Sequence, residues 1–495
     1  MGTSADFNYG ERRAVNEMES ILRSQWANGM LPHIRFTPGE TGYGPDAEEW
    51  GVTRQISGNP DVDTSGITQP PIVAAGIWEV YQNAEHKDAI LDKIEEWFPK
   101  VQKYHDFLLR ERDPDGEHLI FIAHPWASGT DNAPDFDDTF PRILKALESG
   151  DVDIDKFTRR DQDNVDPDER PSKEAYDCYF YLVGKMDQLG FDQERIYKES
   201  PFAVQDVLVN TVFAESVRSM GLIAGELALK YDNLADMDPI HRKEHEAQAA
   251  YYREQAGASD SEADRIGEAI RTKLWDEDAG LFFSYDMKAG KHLDHPTIRS
   301  LMPLYGGVAS PEQAGRLLAH LTDPDEFWPV DGTPIPSTPM NAPRFDNARY
   351  WKGPSWPVTN WMLAKGLDHY SPVLADEVRE RTVGMIAEGY ADRDAVKKQA
   401  AGVMEYNSFG EEFTTPAHDQ YCHGWLWDSV FAAIGWSKVD EKVPVYDGTS
   451  DTGPSFAEYY APQSEGKHEA GDPLGARYMT WTGALYLDLV EDIEA

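Results

Sequence analysis

Asp131 stands in a segment whose residue types suit acid catalysis on a sugar. The segment HPWASGTDNAP (124–134) follows the apolar run LIFIA (119–123). Glycine and proline shape a turn here, and the apolar ring of Trp126 favours the protonated form of a nearby carboxyl. A carboxyl that keeps its proton beside an aromatic face is what a glycosidic bond needs from a general acid. An Asx-turn or a helix N-cap is the commoner use of such an aspartate, and the segment alone leaves both interpretations open.

Glu458 is a second carboxyl in aromatic surroundings. It opens the segment EYYAP (458–462) and precedes GDPLGARYMTWTGA (471–484), where glycines turn the chain into an aromatic helix. Taken alone, Glu458 is better interpreted as a surface carboxylate. The segment supports a function only together with the other motifs.

Large aromatic rings concentrate in RYWKGPSWP (349–357) and in the Trp361 that follows. Rings interrupted by glycine and proline do not share one helix face, and they suit a platform on which a sugar stacks, although packing of a loop on the core is an open alternative. The segment YCHGWLWDS (421–429) predicts the start of an amphipathic helix with buried tryptophans. The segment GMLPHI (29–34) and the turn TQPP (68–71) complete the set, and proline in a first helical turn explains the latter locally.

The charge of the chain excludes several classes of partner. It carries 88 acidic and 46 basic residues, a formal net charge of −42 over 495 residues. Such a charge repels phosphate backbones and anionic membranes, so we expect neither a nucleic-acid nor a membrane partner. The acid is spread along the whole chain, which is typical of proteins kept soluble at high salt, and an ordinary acidic enzyme is the alternative. With 40% hydrophobic residues the chain can form a large core.

The cysteines, the histidines and the N-terminal residues argue against disulfide-rich, metal-binding, secreted and membrane-spanning proteins. Cys178 and Cys422 form neither a disulfide framework nor a zinc site, and the 14 histidines show no paired metal-ligand spacing. The first residues lack a basic start and an apolar core, and no stretch approaches the ~18 apolar residues of a membrane span. We therefore expect a cytoplasmic protein without a metal or another cofactor.

Helical periodicity dominates the elements that must position these motifs. We predict helices over 11–27, 70–84, 86–111, 174–188, 203–230, 239–276, 310–321, 355–370, 373–388, 393–404, 424–436 and 481–491. Short strands are predicted at 119–123 and 279–285, and two acid-dense stretches, 149–172 and 232–265, are predicted as surface excursions. The long loops between helices carry tryptophans, which indicates function. Together these elements predict a helical toroid with its site at one mouth.

The motifs together resemble glycoside hydrolase family 63, most closely its bacterial and archaeal branch of glucosylglycerate and mannosylglycerate hydrolases. They extend over nearly the whole chain as NGMLPHI, TQPP, HPWASGTDNAP, YWKGPSWP, YCHGWLWDS and EYYAP with PLGARYMTWTGALYLDL. The resemblance implies an all-α fold, an (α/α)6 toroid barrel with long aromatic-rich loops and a few short strands, formed by a single domain over 1–495. It also implies an inverting attack on an α-glycoside.

The resemblance assigns roles to individual residues. Asp131 takes the place of the general acid, and Glu458 takes the place of the base that activates water. Inversion needs these two carboxyls ~6.5–9.5 Å apart. Tyr43 belongs to a loop expected to close over the ligand. The implied substrate-binding residues are Tyr421, Trp427, Asp428, Gln69, Tyr350, Trp351, Trp356, Tyr43, Trp126 and His33.

Two residues depart from the family pattern. The family usually has Glu where Ala127 stands and Arg where Lys352 stands. Loss of a carboxylate beside the acid changes either the pKa of that acid or the hydroxyl that it would bind, and a lysine cannot replace the bidentate fork of an arginine. Both departures bear on the identity of the substrate more than on the type of reaction.

The order of the segments departs as well. The segment 396–437 resembles one that stands at the N-terminus in the relatives, where the counterpart of 9–34 follows it. A closed toroid tolerates such a displacement because its first and last helices are neighbours in space. We therefore expect the segment 396–437 to lie beside the mouth, with Trp427 near Asp131. The new order also offers Glu405 as a rival base, and we prefer Glu458 because its downstream pattern matches too.

Three functions are compatible with these residues. The first is an inverting exo-α-glycosidase for a small charged solute such as glucosylglycerate or mannosylglycerate. The second is an α-glucosidase on neutral oligosaccharides such as trehalose or maltodextrin, with the same carboxyl pair and a wider mouth. The third is a non-catalytic carbohydrate-binding protein. All three have a small carbohydrate as partner, while the sugar, its aglycone and a homo-oligomer stay open.

Overall fold

The structure is a computed structural model. It describes residues 7–36, 44–162, 165–387, 393–407, 425–441, 456–464, 467–468, 470–471, 473–474 and 479–494. Tyr43 and Tyr421 of the predicted site lie outside these residues.

Helices make up most of the described residues. In chain order they are α1 (Tyr9–Arg23), α2 (Ala47–Trp50), α3 (Arg54–Ser57), α4 (Val73–Asn83), α5 (Lys87–Arg112), α6 (Phe140–Leu147), α7 (Lys173–Gln188), α8 (Gln193–Glu199), α9 (Val207–Met237), α10 (Arg242–Ala269), α11 (Pro311–Leu321), α12 (Pro357–Leu367), α13 (Pro372–Ile386), α14 (Arg393–Asn407), α15 (Leu426–Trp436) and α16 (Thr480–Glu494). A π-helical turn, Ile270–Leu274, continues α10. Short 3-10 helices lie at Pro125–Ser128, Pro134–Thr139, Pro167–Glu169, Ile298–Leu304 and Tyr350–Lys352.

The strands are two residues long and form small antiparallel sheets. They are β1 (Arg35–Phe36), β2 (Asp63–Thr64), β3 (Val204–Gln205), β4 (Trp275–Asp276), β5 (Leu281–Phe282), β6 (Tyr285–Asp286), β7 (Lys291–His292), β8 (Tyr459–Tyr460) and β9 (Pro473–Leu474). The pairs are β1 with β2, β4 with β5, and β8 with β9, while β6 lies between β3 and β7. In the pair β8–β9, Tyr459 stands opposite Leu474. These strands fasten loops at the ends of helices.

An inner ring of six elements closes on itself within the described part of the chain. Going round it, α4 packs on α9, α9 on the 3-10 helix Ile298–Leu304, that helix on α12, α12 on α16, α16 on α15, and α15 on α4. Every residue of α15 is buried, and so is every residue of α12 except Lys365. Helices that are buried on all sides belong to an inner layer.

Six further helices form an outer layer. Here α1 packs on α15, α5 on α4 and α9, α10 on α9, α11 on Ile298–Leu304, α13 on α12 and α16, and α14 on α16 and α15. The helix α1 shows why such elements form, because it buries Met18 and Ile21 on one side and begins at a capping box between Asn8 and Glu11. Two concentric layers of six helical elements make up the expected (α/α)6 toroid.

The ring elements alternate between the outer and inner layers except near the end of the chain. From α1 to α13 the alternation is regular, whereas α13 and α14 are both outer and α15 and α16 are both inner. If the pair α14–α15 stood before α1, the alternation would be complete, because α15 lies between α16 and α4 in the ring. This supports the expected displacement of 396–437. The segment order of the relatives stays a prediction.

The longest helix among the described residues, α9, belongs to the core. Its N-cap is Asp206, whose side chain accepts a hydrogen bond from the Val209 N–H. Among the residues that the structure describes, it is long and apolar enough to cross a membrane, but 83% of its apolar window is buried inside the molecule. Packing against α4, α5 and α10 explains its composition.

The predicted helices correspond to helices of the structure, with ends displaced by a few residues. The short helices α2, α3, α6 and α8 are not predicted, because so few residues show little periodicity. The predicted strand 119–123 is reduced to a single bridge between Ile122 and Val204. The predicted strand 279–285 contains β5 and the first residue of β6.

Candidate active site

Both predicted catalytic carboxyls border one cavity. This cavity has a volume of about 130 Å³, and Asp131 and Glu458 are part of its lining. The lining also includes all the predicted substrate-binding residues that the structure describes: His33, Gln69, Trp126, Tyr350, Trp351, Trp356, Trp427 and Asp428. Motifs that lie far apart in the sequence therefore meet at one place.

The turn before Asp131 is shaped by short-range contacts. The N-cap of the 3-10 helix Pro125–Ser128 is His124, whose Nδ1 accepts a hydrogen bond from the Trp126 N–H at 3.0 Å. The helix ends at Gly129, which has a left-handed φ of 71°. A Cβ at Gly129 would lie 2.8 Å from the Trp427 ring. Glycine is therefore needed both for the conformation of the turn and for the approach of the tryptophan.

Asp131 does not serve as a helix cap. The next 3-10 helix, Pro134–Thr139, has Ala133 at its N-cap. The Tyr179 hydroxyl donates a hydrogen bond to the Asp131 carbonyl at 2.7 Å and fixes the peptide. In the described structure the capping interpretation therefore does not apply, and the carboxyl lines the cavity.

The electrostatic surroundings of Asp131 favour a proton-bearing carboxyl. Burial, reinforced by the charges of Glu458 and Asp161, raises the pKa of Asp131 to about 7, against the lowering effects of a backbone hydrogen bond and of Arg170. The residue keeps some exposed area, but the cavity that it lines is largely aromatic and desolvates the charged form. A carboxyl that keeps its proton up to near-neutral pH suits a general acid.

Buried ion pairs fasten the segment that follows Asp131. Asp135 pairs with Arg299, which also pairs with Asp206 at the start of α9. The Arg299 guanidinium lies 4.2 Å from the centre of the Phe136 ring. These ion pairs attach the segment that follows Asp131 to the inner ring of helices.

The two departures from the family pattern lie away from the cavity. The Lys352 Nζ lies 2.6 Å from Asp137. It therefore joins the RYWKGPSWP segment to the 3-10 helix Pro134–Thr139 that follows Asp131. Ala127 is 1% exposed. Neither residue is part of the described lining. The prediction that they bear on substrate identity is therefore not supported by a direct contact.

The backbone around Glu458 is fixed on both sides. The Ser355 N–H donates to the Tyr460 carbonyl at 2.7 Å, and the Tyr460 N–H donates to the Ser355 carbonyl at 2.9 Å. The Thr482 hydroxyl, in α16, donates to the Ala457 carbonyl at 2.8 Å. Glu458 is thus held between the RYWKGPSWP segment and the last inner helix.

The Glu458 carboxylate has a buried cationic partner. The Arg170 Nη1 lies 2.9 Å from the Glu458 Oε2, and the two side chains are 12% and 8% exposed. Arg170 also lies 3.4 Å from Asp161 and 4.2 Å from the centre of the Tyr350 ring. This enclosed pair fixes the position of the Glu458 carboxylate at the cavity.

Trp427 reaches the cavity through contacts with the TQPP turn. The Gln69 Oε1 accepts a hydrogen bond from the Trp427 N–H at 3.0 Å, and the Trp427 Nε1 donates to the Pro70 carbonyl at 3.0 Å. The expected proximity of Trp427 to Asp131 is therefore observed, since both line the same cavity.

Asp428 brings a third carboxyl to the cavity. It is 2% exposed, and within the described part of the molecule neither of its carboxylate oxygens has a hydrogen-bond partner. Burial, with the charges of Glu458 and Glu17, raises the pKa of Asp428 well above its usual range. Buried polar groups are normally paired, so Asp428 has unused hydrogen-bonding capacity at the cavity.

The rings of the RYWKGPSWP segment form an aromatic wall of the cavity, which is partly a stack of protein rings. Trp351 and Trp356 stack 3.8 Å apart at 6°, and Trp356 stacks on Tyr459 at 4.6 Å. Because protein rings cover the faces of Trp356, this side chain supports the wall rather than offering a free face to a sugar. Tyr350 has a left-handed φ of 45°, a strained conformation that clusters at functional sites.

His33 and Trp126 line the cavity beside other aromatic rings. The His33 Nδ1 lies 3.2 Å from the Ser65 hydroxyl, and burial with the charge of His124 lowers the pKa of His33 to about 3. His33 is therefore neutral at physiological pH. The Trp126 ring lies 4.4 Å from His124 and 6.2 Å from Trp50.

Several residues of the lining are not predicted by the sequence. They are Trp50, Arg160, Asp161, Arg170, Tyr176, Trp425 and Trp481. The stretch 149–172 is predicted as a surface excursion, and this prediction is wrong for its later part, which supplies Arg160, Asp161 and Arg170 to the cavity. Three arginines in an acid-rich run, at 159, 160 and 170, are the pattern that could have indicated buried ion pairs.

Two further predictions concern residues or groups outside the cavity. Glu405 lies in α14, but its side chain is not among those described. Whether Glu405 or Glu458 is the base therefore stays open. In the described ranges, no group of three or more His, Cys, Asp or Glu side chains is arranged to hold a metal ion.

Sequence comparisons place these motifs in a known family. The profile of the mannosylglycerate hydrolase MGH1-like glycoside hydrolase domain matches residues 7–414. A mannosylglycerate hydrolase from Rubrobacter radiotolerans is 33% identical over 383 residues, which are 77% of this chain and 80% of the relative. A glucosylglycerate hydrolase from Mycolicibacterium hassiacum is 28% identical over 76% of this chain and 82% of the relative.

The structural comparisons agree. The family 63 mannosylglycerate hydrolase from Thermus thermophilus, in complex with glucose, matches with a TM-score of 0.64 and 26% identity over 97% of this chain and 88% of the other. Its complex with Tris and D-glycerate matches with a TM-score of 0.63 and 25% identity over 98% and 96%. The expected toroid and the expected enzyme class, a glycoside hydrolase, are confirmed. The chain therefore belongs to the mannosylglycerate hydrolase MGH1-like branch of glycoside hydrolase family 63.

Proposed function

We propose that the protein is an inverting exo-α-glycoside hydrolase that acts on mannosylglycerate or glucosylglycerate. One observation carries the proposal: a single aromatic cavity holds Asp131, with a pKa raised to about 7, and Glu458, paired with an arginine. Inversion needs one carboxyl that carries a proton and a second carboxyl fixed at the same cavity, and these surroundings favour both.

In the proposed reaction, Asp131 donates its proton to the glycosidic oxygen as the bond between that oxygen and the anomeric carbon breaks. Glu458 accepts a proton from the water whose oxygen attacks the anomeric carbon from the opposite face. The sugar leaves with inverted configuration and glycerate leaves with the donated proton. Asp131 is then ionised and Glu458 protonated, and proton exchange with solvent restores both.

Arg160 supports a charged aglycone over a neutral one. It lines the cavity, and its buried Nε has no hydrogen-bond partner among the described residues. Arg170, by contrast, is engaged by Glu458 and Asp161. A glycerate carboxylate matches the planar fork of a guanidinium, whereas trehalose and maltodextrin offer no charge to it.

The other hypotheses from the sequence receive less support. A binding-only protein would not need an acid and a base on one cavity, and the chain retains both. The cytoplasmic location and the adaptation to high salt stay expectations from the composition.

Proton NMR at high KCl concentration tests the proposed reaction. The sugar anomer released first would be followed with α-mannosylglycerate and α-glucosylglycerate, beside trehalose and maltose as neutral substrates. We expect one glycerate glycoside to release the β-sugar first. Release of the α-sugar first would contradict inversion. Faster hydrolysis of a neutral substrate would contradict the proposed preference for a charged aglycone.

The variant Arg160→Met tests the contact with the aglycone. Loss of a charge-assisted hydrogen bond should raise KM for the glycerate glycoside by about tenfold, and KM for its uncharged methyl ester should stay unchanged. Arg54→Met is the matched control, because Arg54 is exposed and pairs with Asp63 outside the cavity. An equal rise in KM for the acid and the ester would show that Arg160 does not bind the carboxylate.

A further inference from the structure

Tyr179, in α7, contacts both ends of the turn 124–131, which is called the acid turn below. Its backbone carbonyl lies at the His124 ring, and its hydroxyl lies at the Asp131 carbonyl. We propose that Tyr179 and His124 are positioning residues of the general acid, which hold the acid turn on α7 so that the Asp131 carboxyl faces the glycosidic oxygen. This inference rests on the role proposed above for Asp131. It deepens that role because neither Tyr179 nor His124 is part of the described cavity lining.

The two contacts of His124 determine which of its nitrogens carries the proton. The Nδ1 accepts a hydrogen bond from the Trp126 N–H at 3.0 Å, so this nitrogen carries none. In the neutral ring the proton therefore lies on Nε2, which donates to the Tyr179 carbonyl at 3.1 Å. Burial lowers the pKa of His124 to about 3, which keeps the ring neutral at physiological pH. One nitrogen of His124 thus shapes the turn, and the other attaches it to α7.

The hydroxyl of Tyr179 holds the other end of the acid turn. It donates a hydrogen bond to the Asp131 carbonyl at 2.7 Å. Burial, with the charges of Asp131 and Asp137, raises the pKa of Tyr179 well above its usual range, so the hydroxyl keeps its proton. Because the carbonyl belongs to Asp131 itself, this bond fixes the backbone from which the catalytic carboxyl projects.

Tyr179 is itself held firmly. It is fully buried and lies near the middle of α7, among the residues that this helix buries. Its ring packs edge-on against Phe140 at 6.2 Å and lies 5.5 Å from the Trp126 ring. A packed side chain on a helix is a more precise support than one on a loop.

Contacts within the acid turn set its shape but not its place in the molecule. The Ser128 hydroxyl donates to the Pro125 carbonyl at 2.7 Å, and the Thr130 N–H donates to the Ser128 hydroxyl at 3.0 Å. Such bonds would persist if the turn moved as a unit. The contacts of Tyr179 with His124 and Asp131 join residues that are 55 and 48 positions apart. They fix where the turn lies, and a displacement of ~1 Å at a catalytic group lowers a rate about 10²-fold.

The position of an acid matters where the leaving group needs a proton. The glycosidic oxygen of a glycerate glycoside needs one, whereas a dinitrophenyl α-mannoside or α-glucoside releases a stable anion without it. A displaced acid should therefore lower the rate on the first substrate and spare the second. A general loss of structure would lower both rates alike.

The variant Tyr179→Phe tests the hydroxyl, because it keeps the ring and the backbone carbonyl. We expect kcat on the glycerate glycoside to fall about tenfold and kcat on the dinitrophenyl glycoside to change less than about twofold, with KM nearly unchanged. Tyr370→Phe is the matched control, because the Tyr370 hydroxyl also donates to a carbonyl, that of Ala309 at 3.2 Å, outside the cavity. An unchanged ratio of the two rates in folded Tyr179→Phe, or a rise in KM alone, would overturn the positioning role.

Two variants of His124 separate its two contacts and keep the proposal testable if Tyr179→Phe does not fold. His124→Asn places an oxygen near Nδ1, so it keeps the acceptor for the Trp126 N–H and loses the donor to Tyr179. His124→Gln places an amide N–H near Nε2, so it keeps that donor. We expect the Asn variant to lose rate on the glycerate glycoside alone, and the Gln variant to recover most of that rate. Recovery by Asn and not by Gln would show that the turn needs only its cap, and would overturn the attachment to Tyr179.

The matched control for these variants is His105→Asn. His105 is also buried, with a pKa lowered to about 3, and its Nε2 contacts the Ser216 hydroxyl at 3.0 Å outside the cavity. This variant should lower the unfolding temperature and leave the ratio of the two rates unchanged. Thermal unfolding of all variants identifies those that are folded.

Asp131→Asn, measured on both substrates, separates this inference from the proposed function. If it keeps the wild-type ratio of the two rates, Asp131 is not the acid, and the proposed reaction is wrong at this residue. If it loses rate on the glycerate glycoside alone while the Tyr179 and His124 variants keep the wild-type ratio, only the positioning role is wrong.

Discussion

The two carboxyls of the cavity are held by opposite means. Asp131 follows a compact turn whose shape depends on nearby residues such as His124 and Gly129, and burial is the largest cause of its raised pKa. Glu458 depends on contacts from distant segments and pairs with Arg170, 288 residues away in the sequence. The proposed acid thus depends on a local turn and on desolvation, whereas the proposed base depends on contacts between segments that are distant in the sequence.

This difference has a consequence for catalysis. The proposed acid depends on the apolar cavity that surrounds its carboxyl, and the position of the proposed base depends on the cation beside it. A change in the surroundings of Asp131 should therefore alter protonation of the leaving group. A change in the surroundings of Glu458 should alter activation of water. Each prediction below separates or compares these two sides.

The largest expected effect comes from removing the acid or the base and then changing the leaving group. Asp131→Asn and Glu458→Gln should each lower kcat on the glycerate glycoside by about 10²–10⁴-fold. On a dinitrophenyl α-mannoside or α-glucoside, whose leaving group needs no proton, Asp131→Asn should recover most of its activity. Glu458→Gln should not recover, because water still needs a base. Initial rates on both substrates check this.

The control for this comparison is Asp137→Asn, whose carboxyl pairs with Lys352 outside the cavity. It should change neither rate by more than a few-fold. An equal response of the Asp131 and Glu458 variants to the better leaving group would contradict the division into acid and base.

The next effect concerns the anchor of the acid side. Arg299→Met leaves Asp135 and Asp206 buried without their cation and should lower the free energy of unfolding by about 3–5 kcal/mol. Urea unfolding at pH 7 measures this. Arg54→Met, at an exposed ion pair, should cost less than about 1 kcal/mol. Equal losses for the two variants would show that the triad does not anchor the acid segment.

Sequence periodicity is sufficient to predict where the helices lie, because the apolar pattern of a helix is local in the sequence. The prediction of 70–84 and 424–436 locates α4 and α15. The contact between them, which closes the inner ring, was expected only from the resemblance and the displaced segment. Periodicity reports which face of a helix is apolar and not which helix covers that face.

The same limit applies to the site. Asp131, with its turn and its tryptophan, forms a local pattern, and the sequence predicts it on those grounds. Arg170 and Arg160 stand in an acid-rich stretch that is typical of a solvated surface, and only the fold shows that they enter the cavity. Ion pairs between distant segments leave no spacing in the sequence, so residues of this kind escape prediction.

A smaller effect concerns the pH dependence of the acid side. Because the pKa of Asp131 is raised to about 7, the protonated fraction falls as the pH rises through that value. We expect kcat/KM on the glycerate glycoside to fall about tenfold per pH unit above pH 7–8. On the dinitrophenyl glycoside this basic limb should be weak. A rate on the glycerate glycoside that stays constant to pH 9 would contradict the assignment of the acid.

The smallest expected effect distinguishes backbone strain in the turn before Asp131 from the contact of that turn with the Trp427 ring. Gly129 and Gly116 both have a left-handed φ, of 71° and 66°. A Cβ at Gly129 would lie 2.8 Å from the Trp427 ring, whereas a Cβ at Gly116 would meet nothing within 4 Å. Both alanine variants should lose about 1 kcal/mol of unfolding free energy from the backbone, and Gly129→Ala should lose more because of the clash.

Activity then shows whether the clash reaches the sugar site. Because Trp427 lines the cavity and must move away from the new methyl group, Gly129→Ala should raise KM several-fold, while Gly116→Ala should leave KM unchanged. Urea unfolding and steady-state kinetics on the same samples give both quantities. If the two variants behave alike, the acid turn and Trp427 are not in contact, and the local turn alone determines the geometry of the acid side.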